Sequence, residues 1–440
     1  LIWSCPALWA ELNSAGEVFL RIFLFFLLIF AWAFPAMAWE PLITGDSMAP
    51  ERLFVVDKKN QAFWVFSNKS PLRKEYKWQV TTGEVMGDKE VEGDLKTPEG
   101  IYFIERQIDT TYLDRDLYGK MGLTLNYPNP VDRARGKTGF GIWLHGRGKE
   151  VVPFDTEGCV AMEMQYMYKL EDMVELLNTP VVITSTMSWE EDEVELEKSR
   201  KIANLSQDWA RAWSDGTGEY FDFYAPDKFA RSSGKSFSSF KSHKQGLFDN
   251  YDWMDVYIEQ PRVLSGPDYW VSYFGQVFNS SGFFSTGVKR LYWQKDEAGD
   301  LRIVGEEFRD YNKPGLEDSY TQDRRERLEQ VVEKWRQAWL EADLDKYASF
   351  YHPQAVQGNV SGLENILQEK KDLWERGNEP ASIEISGIET NAGKDGFDVR
   401  FKQESASISG YSDKVLKTLQ LVPGSGDEWL ILREDWRETR

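Results

Sequence analysis

From Arg52 to Phe66 the chain reads RLFVVDKKNQAFWVF, two apolar and aromatic runs on either side of the polar Asp57-Lys58-Lys59-Asn60. That pattern predicts two strands joined by a turn. Alternating or apolar runs continue at Tyr76 to Thr82, Gly100 to Glu105, Gly141 to Leu144 and Pro180 to Ser185. Between them lie turn-rich stretches such as Glu92-Gly93-Asp94 and Tyr127-Pro128-Asn129-Pro130. Many short strands punctuated by Gly and Pro predict an all-β domain over residues 50–187. One helix, near Met162 to Leu177, interrupts it.

The charged run Trp189-Glu190-Glu191-Asp192-Glu193-Val194-Glu195 reads as a solvated linker or helix start, placed at 188–198. Beyond it the apolar spacing becomes helical: Ile202, Leu205, Trp209 and Trp213 share one face, and they recur as Leu328, Val331, Trp335 and Trp339. Tyr220, Phe223, Tyr224 and Pro226 recur as Tyr347, Phe350, Tyr351 and Pro353. Phe240, Leu247 and Phe248 answer Ile366, Leu373 and Trp374, and Leu291, Ile303 and Phe308 answer Leu419, Ile431 and Trp436. The repeat spacing of 126 to 128 residues is too long for a solenoid and marks a duplicated domain, at 199–312 and 322–440. Each copy opens with helices and ends in strands, which implies α+β.

The first forty residues bear on compartment. Arg21 precedes the apolar run Ile22 to Phe34, then Pro35-Ala36-Met37-Ala38. This reads as a secretory signal over 1–38 with cleavage after Ala38, the alternative being an uncleaved anchor. The expected location is the periplasm or cell envelope. With 52 basic against 72 acidic residues the net charge is -20, which disfavours a nucleic-acid partner. Of the two cysteines, Cys5 lies ahead of the signal, so the exported chain keeps only Cys159 and makes no internal disulfide.

Cys159 lies in the stretch richest in chemistry, GIWLHGRGKEVVPFDTEGCVAM from Gly141 to Met162, fourteen residues after His145. An imidazole beside a thiol can take its proton to give a thiolate-imidazolium pair. A backbone carbonyl such as that of Gly146 can orient the second ring nitrogen, and the amides of Gly158 and Cys159 can receive an oxyanion. His243, in a Ser/Lys-rich stretch, and His352, aligned with Ala225 in the first copy, read as surface residues. No H-E-x-x-H, Cys/His cluster or Walker-type loop occurs, so no metal or cofactor is expected.

The His145-Gly146 and Thr156-Glu157-Gly158-Cys159 elements resemble the catalytic motif of YkuD-type L,D-transpeptidases. The match extends to LFVVDKKNQAFWVF, the Thr82-Gly83 turn, Thr97-Pro98-Glu99-Gly100-Ile101-Tyr102, Tyr127-Pro128-Asn129, Asp132 and Gly136-Lys137-Thr138-Gly139. The resemblance implies that Cys159 is the nucleophile, His145 the base, Gly146 the orienting carbonyl, and the Gly158 and Cys159 amides the oxyanion hole. It also points to Tyr127, Trp143 and Thr156 as substrate-binding residues. The implied substrate is a peptidoglycan stem peptide, attacked at the carbonyl between a diamino acid and D-alanine to form a thioester.

Glu157 and Ala161 depart from the commoner pattern, and the Cys-Val-Ala-Met ending looks closer to a YafK-like branch, some of whose members cleave rather than join. Both copies of the repeat resemble the nuclear transport factor 2-like superfamily, which implies a curved sheet wrapped on helices as a cone with an interior pocket. The expected architecture is therefore an all-β L,D-transpeptidase-type domain plus two α+β cones. Three functions stay open: transpeptidase, hydrolase of peptidoglycan or of a protein-peptidoglycan link, and envelope binding or scaffold protein. The cones are candidate surfaces for an envelope partner or for dimerisation.

Overall fold

The computed structural model describes residues 48–68, 72–187, 193–393, 395–424, 426 and 428–439, so the expected export signal lies outside the described residues. The first domain contains β1 (Arg52–Asp57), β2 (Ala62–Asn68), β3 (Leu72–Gln79), β4 (Gly100–Asp109), α1 (Arg115–Tyr118), β5 (Met121–Leu125) and α2 (Pro130–Ala134). It continues through β6 (Trp143–Arg147), β7 (Val160–Glu163), α3 (Met164–Glu171) and β8 (Pro180–Thr184). The eight strands form one sheet in the order β3-β2-β1-β8-β4-β5-β6-β7. Its two ends meet, because Thr81 and Ala161 exchange backbone hydrogen bonds of 2.8 and 2.9 Å just beyond β3. Three helices stand where one was expected. The additional two, α1 and α2, are single turns capped by Asp114 and Asn129 and are too short for an apolar period to reveal.

The unbroken apolar run of β1 has a specific cause. Phe54 and Val56 point into a core shared with Phe63, Tyr102, Ile104 and Ile183. Leu53 and Val55 point the other way, against Tyr269, Val271, Tyr273 and Tyr292 of the next domain. A sheet covered on both faces needs apolar residues at every position rather than at alternate ones.

The first α+β unit comprises α4 (Glu193–Ser214), a 3-10 turn (Gly218–Phe223), α5 (Pro226–Ser233), α6 (Phe237–Asn250), β9 (Met254–Ile258), β10 (Arg262–Ser265), β11 (Trp270–Ser280), β12 (Phe283–Lys295) and β13 (Leu301–Asp310). Of the two readings of the acidic stretch, linker or helix start, the second holds from Glu193 onward. The second unit comprises α7 (Leu316–Leu340), α8 (Leu344–Ala348), β14 (Tyr351–Gln357), β15 (Val360–Ser361), α9 (Leu363–Glu375), β16 (Pro380–Gly393), β17 (Gly396–Ser407), β18 (Ser412–Pro423) and β19 (Trp429–Glu438). The duplication extends to pairing: Tyr351 aligns with Ile431 in a parallel ladder, and Tyr224 with Ile303 in a single parallel bridge.

The two copies differ on the outer faces of their sheets. In the first, Tyr273, Arg290 and Glu307 lie side by side across β11, β12 and β13 and dock on the first domain. Arg290 is fully buried there. It donates to Glu105 at 2.6 Å, to Glu307 at 3.1 Å and to the Leu177 carbonyl at 2.6 Å, with its guanidinium over the Phe103 ring. Asn126 donates to the same Glu307 oxygen at 2.9 Å, and the Ile101 amide donates to the Tyr269 hydroxyl at 2.8 Å. In the second copy the corresponding row is Arg400, Thr418 and Asp435, and it faces solvent. The cones meet where Asp255 accepts from Tyr320 at 2.7 Å and from Arg324 at 2.8 Å.

Replacing Arg290 by Ala leaves Glu105 and Glu307 with only the more exposed Arg309 beside them, and breaking one side of a buried pair costs up to about 3–5 kcal/mol. Denaturant unfolding of Arg290→Ala is expected to show that loss, whereas Thr418→Ala at the equivalent half-exposed position stays within about 0.5 kcal/mol of the parent.

Candidate active site

His145 lies in β6, and Cys159 immediately precedes β7. The two strands pair in parallel with Leu144 opposite Val160 and His145 opposite Ala161, which sets Cys159 level with Trp143. Gly146 has no room for a side chain: an added Cβ would stand 1.9 Å from the Met164 sulfur. Gly158 takes a φ of +132°, and a Cβ there would meet the Lys96 carbonyl oxygen at 2.9 Å. Both glycines are therefore dictated by close packing around the two reactive side chains.

His145 is buried, and its Nδ1 lies 2.9 Å from the Gly146 carbonyl oxygen. With Nδ1–H donating to that oxygen, Nε2 is the basic nitrogen. Burial pushes the imidazole down to about 4, opposed by the Gly146 contact and assisted by Arg147. The Cys159 thiol donates to the Gly141 carbonyl at 3.4 Å, and among the described residues no hydrogen bond joins it to His145. Burial of the sulfur raises the thiol to about 11; the Trp143 backbone and Lys89 oppose the rise, and Glu157 adds to it. Desolvation penalises the charged form of each group, so burial works against the thiolate-imidazolium pair until substrate is present.

Thr156, expected to contact substrate, has its hydroxyl engaged within its own turn: it donates to the Cys159 carbonyl at 2.7 Å and accepts from the Gly158 amide at 3.2 Å. It shapes the turn that carries the thiol. Tyr127 is likewise buried, donating to the Thr138 carbonyl at 3.1 Å and standing edge-on to Tyr102. It supports the loop leading to Gly141 rather than forming an open wall. Trp143 is half-buried and stands edge-on to Tyr118.

Buried lysines hold the flanking loops. Lys58 donates to the Gly87 and Thr97 carbonyls and to Glu99, and Lys137 bridges Asp88 at 2.7 Å and Asp132 at 2.9 Å. Arg147 clamps Asp155 on the loop that returns to Cys159. His243 is exposed and His352 half-exposed, both far along the chain in the cones. Among the described residues no group of three or more His, Cys, Asp and Glu side chains is arranged to hold a metal.

Each cone holds a second set of charged groups that the aromatic pattern alone did not disclose. In the first, Glu306 accepts from Tyr224 at 2.9 Å and pairs with Lys289 at 3.0 Å, while Lys244 lies 3.6 Å from the Trp213 ring centre. In the second, Glu434 takes Tyr351 and Lys417 in the same way, and Lys370 lies 4.3 Å from the Trp339 ring centre. Burial pushes Lys244 down to about 7 and Lys370 down to about 8. The same 126 to 128 offset links the lysines and glutamates of the two copies, so extending the repeat to polar positions exposes them.

Residues 51–183 match the family model of the YkuD L,D-transpeptidase catalytic domain, and residues 201–307 and 327–435 each match the Cds6 C-terminal NTF2-like domain. The fold and the matches together define a multidomain protein whose first domain is of the L,D-transpeptidase catalytic-domain type. This chain carries one YkuD-type domain followed by two NTF2-like domains of the Cds6 C-terminal family. Among solved structures, Bd1075 of Bdellovibrio bacteriovorus is 28% identical over 63% of this chain and 99% of its own, with a TM-score of 0.49. The helical cell shape determining protein Pgp2 of Campylobacter jejuni is 25% identical over 61% of this chain and 95% of its own, also at 0.49. An NTF2-like protein of Cytophaga hutchinsonii is 10% identical over 26% of this chain and 98% of its own, at 0.24. No match was found among curated proteins.

Alkylation of Cys159 by iodoacetamide, in a Cys5→Ser background, is expected to rise with pH toward a midpoint near 11 in the free protein. An ordinary accessible cysteine titrates near about 8.5.

Proposed function

We propose that this chain is an exported thiol-dependent acyltransferase that opens peptidoglycan stem peptides through a thioester on Cys159. The observation that carries this reading is the parallel register of β6 and β7, which brings His145-Gly146 beside Gly158-Cys159 within a domain matching the YkuD model. Among the described residues no helix is long and apolar enough to cross a membrane, so retention at the envelope would rest on the segment before residue 48 or on the substrate itself.

Because burial favours the neutral form of both groups, proton transfer accompanies attack. As the sulfur bonds to the carbonyl carbon, Nε2 of His145 takes the thiol proton and the C=O electron pair moves onto oxygen. The Cys159 amide is the candidate donor to that oxyanion; the Gly158 amide first has to release Thr156. Collapse re-forms C=O, breaks the C–N bond and passes the imidazolium proton to the departing D-alanine amine. An acceptor amine, or water, then attacks the thioester, gives its proton to His145, and the sulfur leaves and regains it. With an amine the product is a cross-link; with water the same residues act as a peptidase. Access of water to the thioester decides between them.

A second role, binding by the cones, is favoured by the repeated lysine and glutamate sets, since neither Lys244 nor Lys370 forms an ion pair or hydrogen bond among the described residues. On this reading the cones hold the envelope polymer or a partner protein while the first domain acts.

Incubation of residues 39–440 with disaccharide-tetrapeptide, followed by intact-mass analysis, is expected to show an acyl adduct that Cys159→Ala abolishes. Cross-linked dimers identify the transpeptidase and trimmed monomers the hydrolase; turnover retained by Cys159→Ala overturns the assignment. Pelleting of Cys159→Ala with sacculi tests the second role, and binding undiminished by Lys244→Ala together with Lys370→Ala counts against it.

A further inference from the structure

Tyr118 has no place in the motif that points to His145 and Cys159, yet its ring centre lies 5.3 Å from that of His145, tilted by 39°. It is the last residue of α1, whose Asp114 cap accepts from the Asp116 and Leu117 amides at 2.9 and 3.2 Å. Thr110 donates to the Tyr118 carbonyl at 3.0 Å. The next residue, Gly119, is left-handed with φ +64°, and a Cβ there would stand 2.8 Å from the Gly146 carbonyl carbon. The helix end is thus pressed directly onto the strand that carries the histidine and its orienting carbonyl.

The neighbours of His145 in the sheet are Gly122 on β5 and Ala161 on β7, two of the smallest side chains. Neither covers an imidazole face. His145 is nevertheless only 3% exposed, while Tyr118 beside it remains half-exposed. The Tyr118 hydroxyl makes no hydrogen bond among the described residues, so what it contributes here is the ring, which also meets Trp143 edge-on.

We propose that Tyr118 is a positioning residue of this site: its ring closes over the imidazole of His145, fixes the contact between Nδ1 and the Gly146 carbonyl, and keeps water from the base. This role rests on the thiol-enzyme reading above, although its central measurement does not require turnover. The charged groups around the site are Arg147 on the same strand, itself tied to Asp155, Glu157 on the loop before Cys159, Lys89 on the thiol side and Asp114 at the start of α1; β5 and β7 present none opposite the ring. Desolvation is the leading cause of the depressed imidazole, and Tyr118 is the large side chain stationed to supply it.

Two variants separate ring from hydroxyl, each read by NMR titration of the His145 ring protons and by the pH profile of muropeptide turnover. Tyr118→Phe keeps the ring and is expected to retain the parent titration and a rate within about twofold. Tyr118→Ala is expected to move the imidazole from about 4 toward 6.5, and the acid limb of the profile with it. The same variant should lower kcat about 10- to 100-fold, part of the 10²–10⁴ that a positioned base contributes, with KM little changed. An unmoved His145 titration in Tyr118→Ala, in protein whose thermal melt matches the parent, overturns the proposal; so does a Tyr118→Phe variant as impaired as Tyr118→Ala. If the parent itself turns over no muropeptide, the titration still decides the role of Tyr118, and only the substrate reading falls.

Discussion

A single buried cation, Arg290, sets the frame on which the candidate site stands. It draws Glu105 of β4 and Glu307 of β13 together, caps the Leu177 carbonyl and lies on Phe103, and Arg309 joins the same two carboxylates from the rim, so the first cone is tied to the first domain through a buried charge network. β4 and β5 then lie between this junction and the β6–β7 pair that carries His145 and Cys159. The residues following β5 belong to both neighbourhoods. Asn126 and Asn129 bond to the cone, while Tyr127 and Asp132 brace the loop that ends at Gly141. Rigid docking on one side and thiol placement on the other are parts of one packed structure.

Within that frame, burial governs the chemistry. Burial penalises the charged forms of the imidazole and of the half-buried thiol alike, so the proton moves most readily when an incoming carbonyl offers the new charge a place to develop. The cost of exposing a reactive thiolate to bulk solvent is avoided until substrate arrives. Two buried lysines, Lys58 and Lys137, make the surrounding loops stiff without adding charge near the sulfur, because their own charge is absorbed by Glu99, Asp88 and Asp132.

Much of the architecture was legible from apolar spacing. The run Leu53-Phe54-Val55-Val56 signalled a strand, though not that both its faces are covered, and the Trp209/Trp213 and Trp335/Trp339 stripes disclosed the duplication, since all four are packed in the cone cores. What stayed hidden lacked period or defied residue type. The single turn Arg115–Tyr118 is too short to repeat, so Tyr118 gave no sign of its contact with His145. Lys244 and Lys370 carried no signal of their own, because a lone lysine is seldom buried; only their place in the repeat distinguishes them. Tyr127 and Thr156 read as substrate-binding residues, whereas their hydroxyls are occupied by Thr138 and by Cys159 and Gly158. Composition does not reveal how a hydroxyl is already satisfied.

The parallel alignment of β6 and β7 also separates what inheritance must keep from what it can let drift. The partnership of His145 and Cys159 is set by which rungs of the ladder they occupy, not by the number of residues between them. An insertion or deletion in residues 148–155 that returned the chain to the same rung, with Asp155 still within reach of Arg147, would preserve the pair. A search built on a fixed spacing would then pass over a genuine cousin, whereas one built on strand register would find it.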